Sequence, residues 1–427
     1  MKMLIALFVL FPFFLEAQQT QSFDLMDVYQ KAMTAKNEKK YSEYLRFAQQ
    51  LSNYTPAHYG ILYLLADAQA LNGDVESAKK NLLIAAKSGM SIDLSKSTSF
   101  EKIKDSTEYK QALELFERNK QPSGDSQTAF KIPQKDLIAE GIAYDPVSRS
   151  FFISSTYRCK IVEVDSSGKA RDFIADKQDG IWGVVGMEVD AERRHLWANS
   201  GNLEQNMNMK YPEAETLGHT AIHKYDLATR KLIKKYVLAV KGQKHFFNDL
   251  SISRDGDVYI TDTDEGSVYK ISAAKDELEL FVKPEGMSYP NGIALSGDEK
   301  FLYVANIQGI SVVDLKTKDV KLLKGPESTA TTGIDGMVFH QNSLIANQAL
   351  TGAERIARFH LSSDPTRIEK LELLQVNHPS FVMPTTGVVA GSAFYYIANS
   401  QLRAFDETGK IFPDEKLQET IILKVNL

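Results

Sequence analysis

Six positions, Glu140, Val185, Asn248, Asn291, Asp335 and Thr386, recur along the chain at intervals of 45, 63, 43, 44 and 51 residues. Four of them carry a carboxylate or a carboxamide, and none offers a sulfur or an imidazole nitrogen. That donor set suits a hard cation taking six to eight oxygen ligands, with water or substrate completing the shell. Glu140 and Asp335 bring a charge of −2 and Asn248 and Asn291 none, which matches a divalent ion. Calcium fits such donors better than zinc or copper. The composition narrows the choice in the same direction. The 427 residues include one cysteine, Cys159, and eight histidines, so a Cys-based zinc site and an intramolecular disulfide are both excluded. Asn and Asp also open strands simply because they make turns. The column therefore has to be read together with the elements that carry it.

Those elements repeat. Asn291-Gly-Ile-Ala-Leu leads to Phe301-Leu-Tyr-Val-Ala-Asn306, and Asn248-Asp-Leu-Ser-Ile leads to Asp257-Val-Tyr-Ile-Thr-Asp262. Glu140-Gly, Val185-Gly, Asp335-Gly and Thr386-Gly open the same pattern in the other units. A third alternating run (267–272) and a fourth (278–283) follow in the third unit. Six units of four short strands predict a mainly β fold, a six-bladed β-propeller, because one blade cannot bury both of its faces alone. Residues 419–425 and 128–132 are the candidates to complete one blade and close the ring. The first residue of each inner strand then lies at one rim of the central channel. A second column, Ser155, Asn199, Asp262, Asn306, Asn347 and Asn399, ends the second strands and reads as turn chemistry. Asp262 is also a candidate to support the cation from behind its ligands. The interval of 63 residues places the connection 199–220 back at the rim, where it is expected to overhang the mouth.

Upstream the period changes. Residues 24–119 carry apolar side chains three and four apart, and Asn72-Gly73-Asp74 ends one helix and caps the next. The small residues Ala66, Ala70, Ala78 and Ala85 on facing helices resemble a tetratricopeptide-like hairpin. A docking surface for a protein partner and a cap or spacer on the propeller are the two readings of this part. The N-terminus has Lys2, an apolar run of 12 residues (4–15) and a cleavage-like Leu15-Glu16-Ala17. A membrane span needs roughly 20 apolar residues, so this reads as a signal peptide, with export to the periplasm or beyond and no span after cleavage. The expected organisation is signal peptide 1–17, a small α-helical domain 22–120, a polar linker 121–127 and the propeller 128–427. A net charge of −5 without basic runs argues against a nucleic-acid partner.

Glu140-Gly, Phe247-Asn248-Asp249, Pro290-Asn291-Gly292-Ile293-Ala294-Leu295-Ser296 and Asp335-Gly336-Met337, taken in order, resemble the gluconolactonase/senescence-marker-protein (regucalcin) family. That family stands with paraoxonases and diisopropyl fluorophosphatase among calcium-dependent six-bladed propellers. The resemblance covers roughly residues 131–427. It implies that Glu140, Asn248, Asn291 and Asp335 bind one catalytic divalent cation, with one amide, assigned to Asn248, also touching substrate. It implies hydrolysis of lactones, aryl esters or phosphotriesters, with Asp335 as nucleophile or general base. Paraoxonase-like members carry a histidine in the second blade, where this chain has Val185-Gly186. His245 and His378 are the candidate substitutes near the mouth, Trp182 a candidate apolar wall and Arg158 a candidate for anionic groups. The competing expectation is a non-catalytic propeller with a structural metal, acting as a scaffold through its helices. Condensation chemistry of the strictosidine-synthase kind is disfavoured by the four oxygen donors.

Overall fold

The computed structural model describes residues 23–202, 209–240, 242–349 and 353–427. The expected signal segment lies outside these residues, as do positions 203–208 of the long blade-two connection. Among the described residues no helix is long and apolar enough to cross a membrane.

Among the described residues five helices come first: α1 (Leu25–Asn37), α2 (Tyr41–Tyr54), α3 (Tyr59–Asn72), α4 (Val75–Lys87) and α5 (Thr107–Arg118). Their ends follow local chemistry. Asp24, Asp74 and Ser106 accept hydrogen bonds from the backbone N–H of Asp27, Ser77 and Tyr109, using donors that a helix start leaves free. Gly73 ends α3 at φ +84°, a left-handed turn that suits glycine. The small faces meet as the spacing predicts: Ala66 and Ala70 of α3 share one core with Ala78, Leu82, Ala85 and Ala86 of α4.

The strands form six sheets of four antiparallel strands arranged as the blades of a propeller, one of them extended by a fifth strand. The inner strands are Ile142–Asp145, Gly183–Asp190, Phe247–Ile252, Ile293–Leu295, Ile334–His340 and Gly387–Ala390 for blades one to six. The ring closes with an N-terminal strand, Gln127–Ile132, as the outermost strand of blade six, paired with the C-terminal strand Thr420–Asn426. Both runs named as closing candidates are used. Ser123–Gly124, inside the stretch expected to be a linker, pair with the outer strand of blade five, Ile368–Val376. Gln375 holds that added strand by donating from Nε2 to the Ser123 carbonyl at 2.7 Å.

The second column shows how neighbouring blades are tied. Asn399 Oδ1 accepts from Ile421 N–H at 2.7 Å, a turn contact within its own blade. Asn199 instead donates to the Asn248 carbonyl at 2.9 Å, and Asn347 donates to the Thr386 carbonyl at 3.4 Å. Both reach the rim residue of the next blade. Side chains that end one blade therefore fix the backbone of the next.

Each inner strand runs away from the rim that bears Glu140, Asn291 and Asp335. Turns between second and third strands, and the links from one blade to the next, therefore lie on that same near face. The helices touch segments of this class. Tyr54 Oη lies 3.0 Å from Ser288 Oγ, Ile307 packs against the α1–α3 core, and Ala330 is part of the α3–α5 core. Asn377 donates to the Asn119 carbonyl at 2.8 Å. The helical domain thus rests on the near face of the propeller, over blades four and five.

Candidate metal centre at the channel mouth

Six inner strands converging on one axis leave little room beside the column. A Cβ on Gly141 would collide with the Val185 carbonyl, and a Cβ on Gly336 would sit 2.7 Å from Thr386 Cα. Glycine follows the column residue in five blades, in four of them because the inner strand of the next blade passes so close and in blade six because Phe394 of the same blade does. Blade three departs from this: Asp249 stands in the glycine position. A shift of register between Phe247 and Leu250 bulges this strand. Such a bulge re-aims side chains. The Asp249 carboxylate lies over Gly186 of blade two, where a Cβ would meet it.

Backbone hydrogen bonds hold the candidate ligands in place. The Glu140 carbonyl accepts from Thr385 Oγ1 at 2.8 Å and Thr386 Oγ1 at 2.7 Å. The Asn291 carbonyl accepts from Thr261 Oγ1 at 2.9 Å, and the Pro290 carbonyl accepts from Thr263 Oγ1 at 2.6 Å. Asn248 Nδ2 donates to that same Thr263 hydroxyl at 3.1 Å. Asn291 Nδ2 donates to Asp335 Oδ1 at 2.7 Å, so two of the four expected ligands touch directly.

What remains unpaired is informative. Glu140 is 4% exposed, and its Oε2 has no hydrogen-bond partner among the described residues. Asn291 Oδ1 is also buried and unpaired. An orphan buried oxygen costs on the order of 1–3 kcal/mol, so two such atoms at one mouth call for a ligand. The charges agree. Burial, with repulsion from Asp335 and Asp249, holds the Glu140 carboxyl well above the usual carboxylate range. Burial and Asp335 push Asp249 up to about 8. Burial pushes Asp335 up to about 6, against the stabilising hydrogen bond from Asn291. Three carboxyl groups therefore share one poorly solvated place, and a cation would relieve all three. Among the described residues no group of three His, Cys, Asp or Glu side chains is placed to hold a metal. An ion at this mouth would need the amide oxygens of Asn248 and Asn291, and the donor set fits a divalent cation of the calcium type on that condition.

The other predicted residues bind protein partners through some of their polar atoms. Arg158 pairs with Asp136 at 2.9 Å and Asp176 at 2.7 Å. Trp182 is packed with Ile181, Val184 and Met209, and its Nε1 donates to Glu213 Oε2 at 2.9 Å. Glu213 belongs to the long blade-two connection and also pairs with Lys177. Lys210 N–H donates to the Tyr157 carbonyl at 2.8 Å, so the connection returns to the near face and is tied to blade one. His378 Nδ1 accepts from Ser380 N–H at 3.1 Å. His245 is buried with Nδ1 2.6 Å from Asp262 Oδ2, and its Nε2 has no partner among the described residues. Asp262 also accepts from Phe246 N–H at 3.0 Å, so it holds the approach to Asn248. Val185 is fully buried and brings no polar atom to the ring. Asp249 was absent from the sequence-based candidates. Its signal was available as the one non-glycine among Gly141, Gly186, Asp249, Gly292, Gly336 and Gly387.

A six-bladed propeller with carboxylate and amide oxygens gathered at one mouth is the class this chain defines. The family model described as SMP-30/Gluconolactonase/LRE-like region matches residues 138–383, more than half of the chain, and the chain belongs to that family. The match contains Glu140, Asn248, Asn291 and Asp335 and leaves the helices outside. No curated protein matches the chain. Among solved structures, a gluconolactonase from Xanthomonas campestris is 16% identical, with a TM-score of 0.47 over 71% of this chain and 94% of the other. A luciferin-regenerating enzyme is 15% identical, with a TM-score of 0.48 over 72% and 96%. Virginiamycin B lyase from Staphylococcus aureus is 15% identical, with a TM-score of 0.47 over 71% and 100%.

Proposed function

We propose that this protein is an exported, divalent-cation-dependent hydrolase of lactones or esters, with calcium held by Glu140, Asn248, Asn291 and Asp335. Membership of a gluconolactonase-like family carries the lactonase or hydrolase class. The metal rests on one observation above the others: Glu140 Oε2 and Asn291 Oδ1 are buried and unpaired at the same mouth. When bound, the ion would polarise a carbonyl oxygen and offset the negative charge that develops on it. The chain's own part is proton handling and orientation. Asp335 accepts a proton from the attacking water, as a carboxylate held beside the bound ion and substrate can. Asn291 keeps one Asp335 oxygen oriented by its 2.7 Å hydrogen bond. Asn248, anchored by Thr263 on one side, presents its amide oxygen toward substrate and ion. Trp182, Arg158, His245 and His378 form the surroundings proposed to meet the rest of the substrate. Export rests on the apolar run 4–15.

The test is a panel of lactones and aryl esters assayed with calcium and with a chelator, on the wild type and Asp335→Asn. Hydrolysis that needs calcium, and is lost in a folded Asp335→Asn variant, supports the proposal. Turnover that survives the chelator overturns the metal mechanism. No turnover in a calcium-bound protein favours the scaffold reading, in which one ion ties four blades together.

A further inference from the structure

The helices lie outside the matched family region, yet among the described residues their contacts with the propeller fall at the face that bears the candidate ligands. Two paths lead from them to the mouth. In the first, α2 ends at Tyr54, whose hydroxyl lies 3.0 Å from Ser288 Oγ and 3.4 Å from the Gly286 carbonyl. Ser288 precedes Asn291 by three residues. Two residues after α2 ends, Pro56 is followed by Ala57, whose carbonyl lies 3.5 Å from Thr332 Oγ1; Thr332 precedes Asp335 by three residues. A single turn between α2 and α3 therefore spans the approaches to both members of the Asn291–Asp335 pair.

The second path is buried throughout. The Ser88 carbonyl, at the end of α4, accepts from Arg355 Nη1 at 2.8 Å. Arg355 Nε donates to Gln348 Oε1 at 2.7 Å. Gln348 Nε2 in turn donates to the carbonyls of Ala330 at 3.0 Å and Thr332 at 2.8 Å. Arg355 is 1% exposed and Gln348 is fully buried. The approach is close enough to dictate the sequence on the helical side: a Cβ on Gly89 would collide with Arg355 Nη1, and Gly89 also sits at φ +96°. A charged side chain held wholly inside an interface, its side-chain hydrogen bonds among the described residues all along this line and its guanidinium over the Tyr59 ring at 5.6 Å, is a costly way to join two domains. It does fix direction, because each of its bonds has one geometry.

We infer that the helical domain is part of the metal centre: through Tyr54 and through the Arg355–Gln348 line it holds the segments 286–290 and 330–334, and so positions Asn291 and Asp335. This rests on the proposed metal-binding reading for its functional meaning. Arg355, Gln348 and Tyr54 are positioning residues and touch neither ion nor substrate. Glu140, on blade one, lies outside their reach and serves as the internal control.

The test uses the full chain in two variants, Arg355→Met, which keeps the stem and removes the directional bonds, and Tyr54→Phe, which removes one hydroxyl. Calcium affinity is measured by titration calorimetry, and backbone hydrogen exchange is followed at 286–293, 330–337 and 138–143. Groups that support ligands from behind typically change affinity by about 10–100-fold. The longer path here predicts roughly five- to tenfold weaker calcium binding for Arg355→Met and about twofold for Tyr54→Phe. Exchange should quicken at 286–293 and 330–337 and stay unchanged at 138–143. Unchanged exchange at Asn291 and Asp335 in both variants overturns the inference. So does a loss of protection spread evenly over 138–143 as well, which would mark general destabilisation. If the wild type binds no calcium, the metal reading has failed, and the exchange pattern alone decides whether the helices position these segments.

Discussion

The two ends of the central channel are built from the same six strands and differ in kind. At the near end, the first residues of the inner strands bring Glu140, Asn248, Asn291 and Asp335 together, with buried oxygens left unpaired. Two residues further along the same strands stand Ile142, Met187, Leu250, Ile293, Met337 and Val388. They line a cavity of about 400 Å³ that occupies the far half, together with Glu188, Arg254 and Glu299, and with Asp249 at its inner end. In blades two, three and five a register shift falls between the two positions, so simple alternation does not relate them. The column of carboxylate and amide side chains is confined to the rim, and the six positions two residues deeper are all apolar. Axial position in the channel, more than orientation, separates chemistry from packing here.

That contrast can be broken most directly at the near end. Glu140→Gln and Asp335→Asn should each lower kcat/KM for a lactone by roughly 1000-fold, because charge stabilisation by a held ion contributes several kcal/mol. Calorimetry on the same variants should show calcium affinity falling with activity. A change under tenfold in both variants would show that the rim carboxylates do not run the reaction. Gly186→Ala comes next. Its methyl would meet the Asn248 carbonyl and the Asp249 side chain, and overpacking of this kind costs about 3 kcal/mol. Urea denaturation should show that loss, while alanine at the open Gly168 turn, with nothing nearby to strike, should cost less.

Acid should act on the helical side of the near end and on blade two. Burial pushes His58 down to about 4 and His223 down to about 3, so both are neutral when folded. An unfolded histidine titrates near 6.5. The unfolded chain therefore binds more protons below that pH. The stability contributed by keeping these rings neutral is complete above pH 6.5 and is lost as pH falls toward the folded values. By pH 5 each ring should remove about 2 kcal/mol. Thermal unfolding between pH 7 and 5 measures it. His58→Asn, which keeps a side-chain cap for Ile61 N–H, should flatten the slope. A slope unchanged in this variant would acquit His58.

The smallest effect belongs to the far end. Burial pushes Glu188 up to about 8, so the folded state holds a proton that the unfolded carboxyl releases above its ordinary range. Folding is then disfavoured as pH rises from the unfolded value to the folded one. Glu188→Gln keeps an acceptor for Ile252 N–H and removes that penalty, and should stabilise by about 1 kcal/mol at pH 7. Hydrolysis should stay within about twofold of the wild type. A large loss of activity would extend the site through the whole channel and erase the contrast between its ends.

Much of this was legible in the chain. The recurring pairs such as Asn291-Gly and Asp335-Gly carried the blade count, and the runs at 128–132 and 419–425 carried the closure. Asp249 was legible in principle, but its meaning depends on the neighbouring strand passing over Gly186, which no spacing reveals. The pairing of His245 with Asp262, and the engagement of Arg158 by Asp136 and Asp176, needed the turns to be seen side by side. Residues 121–127 read as a linker because their side chains are polar. Ser123–Gly124 join blade five through backbone groups, to which side-chain polarity is indifferent.

By itself the sequence determined the periods, and through them the helices, the blades and the kinds of atom available at the start of each inner strand. Local chemistry is enough for that, because strand alternation, caps and turns are set by residues a few positions apart. Only the tertiary structure decided which oxygens were left without partners, that Asp249 stands among them, and that the helices lie on blades four and five at that same face. Those outcomes depend on contacts between residues as distant in sequence as Ser88 and Arg355, and burial, repulsion and unpaired polar atoms exist only once such contacts form.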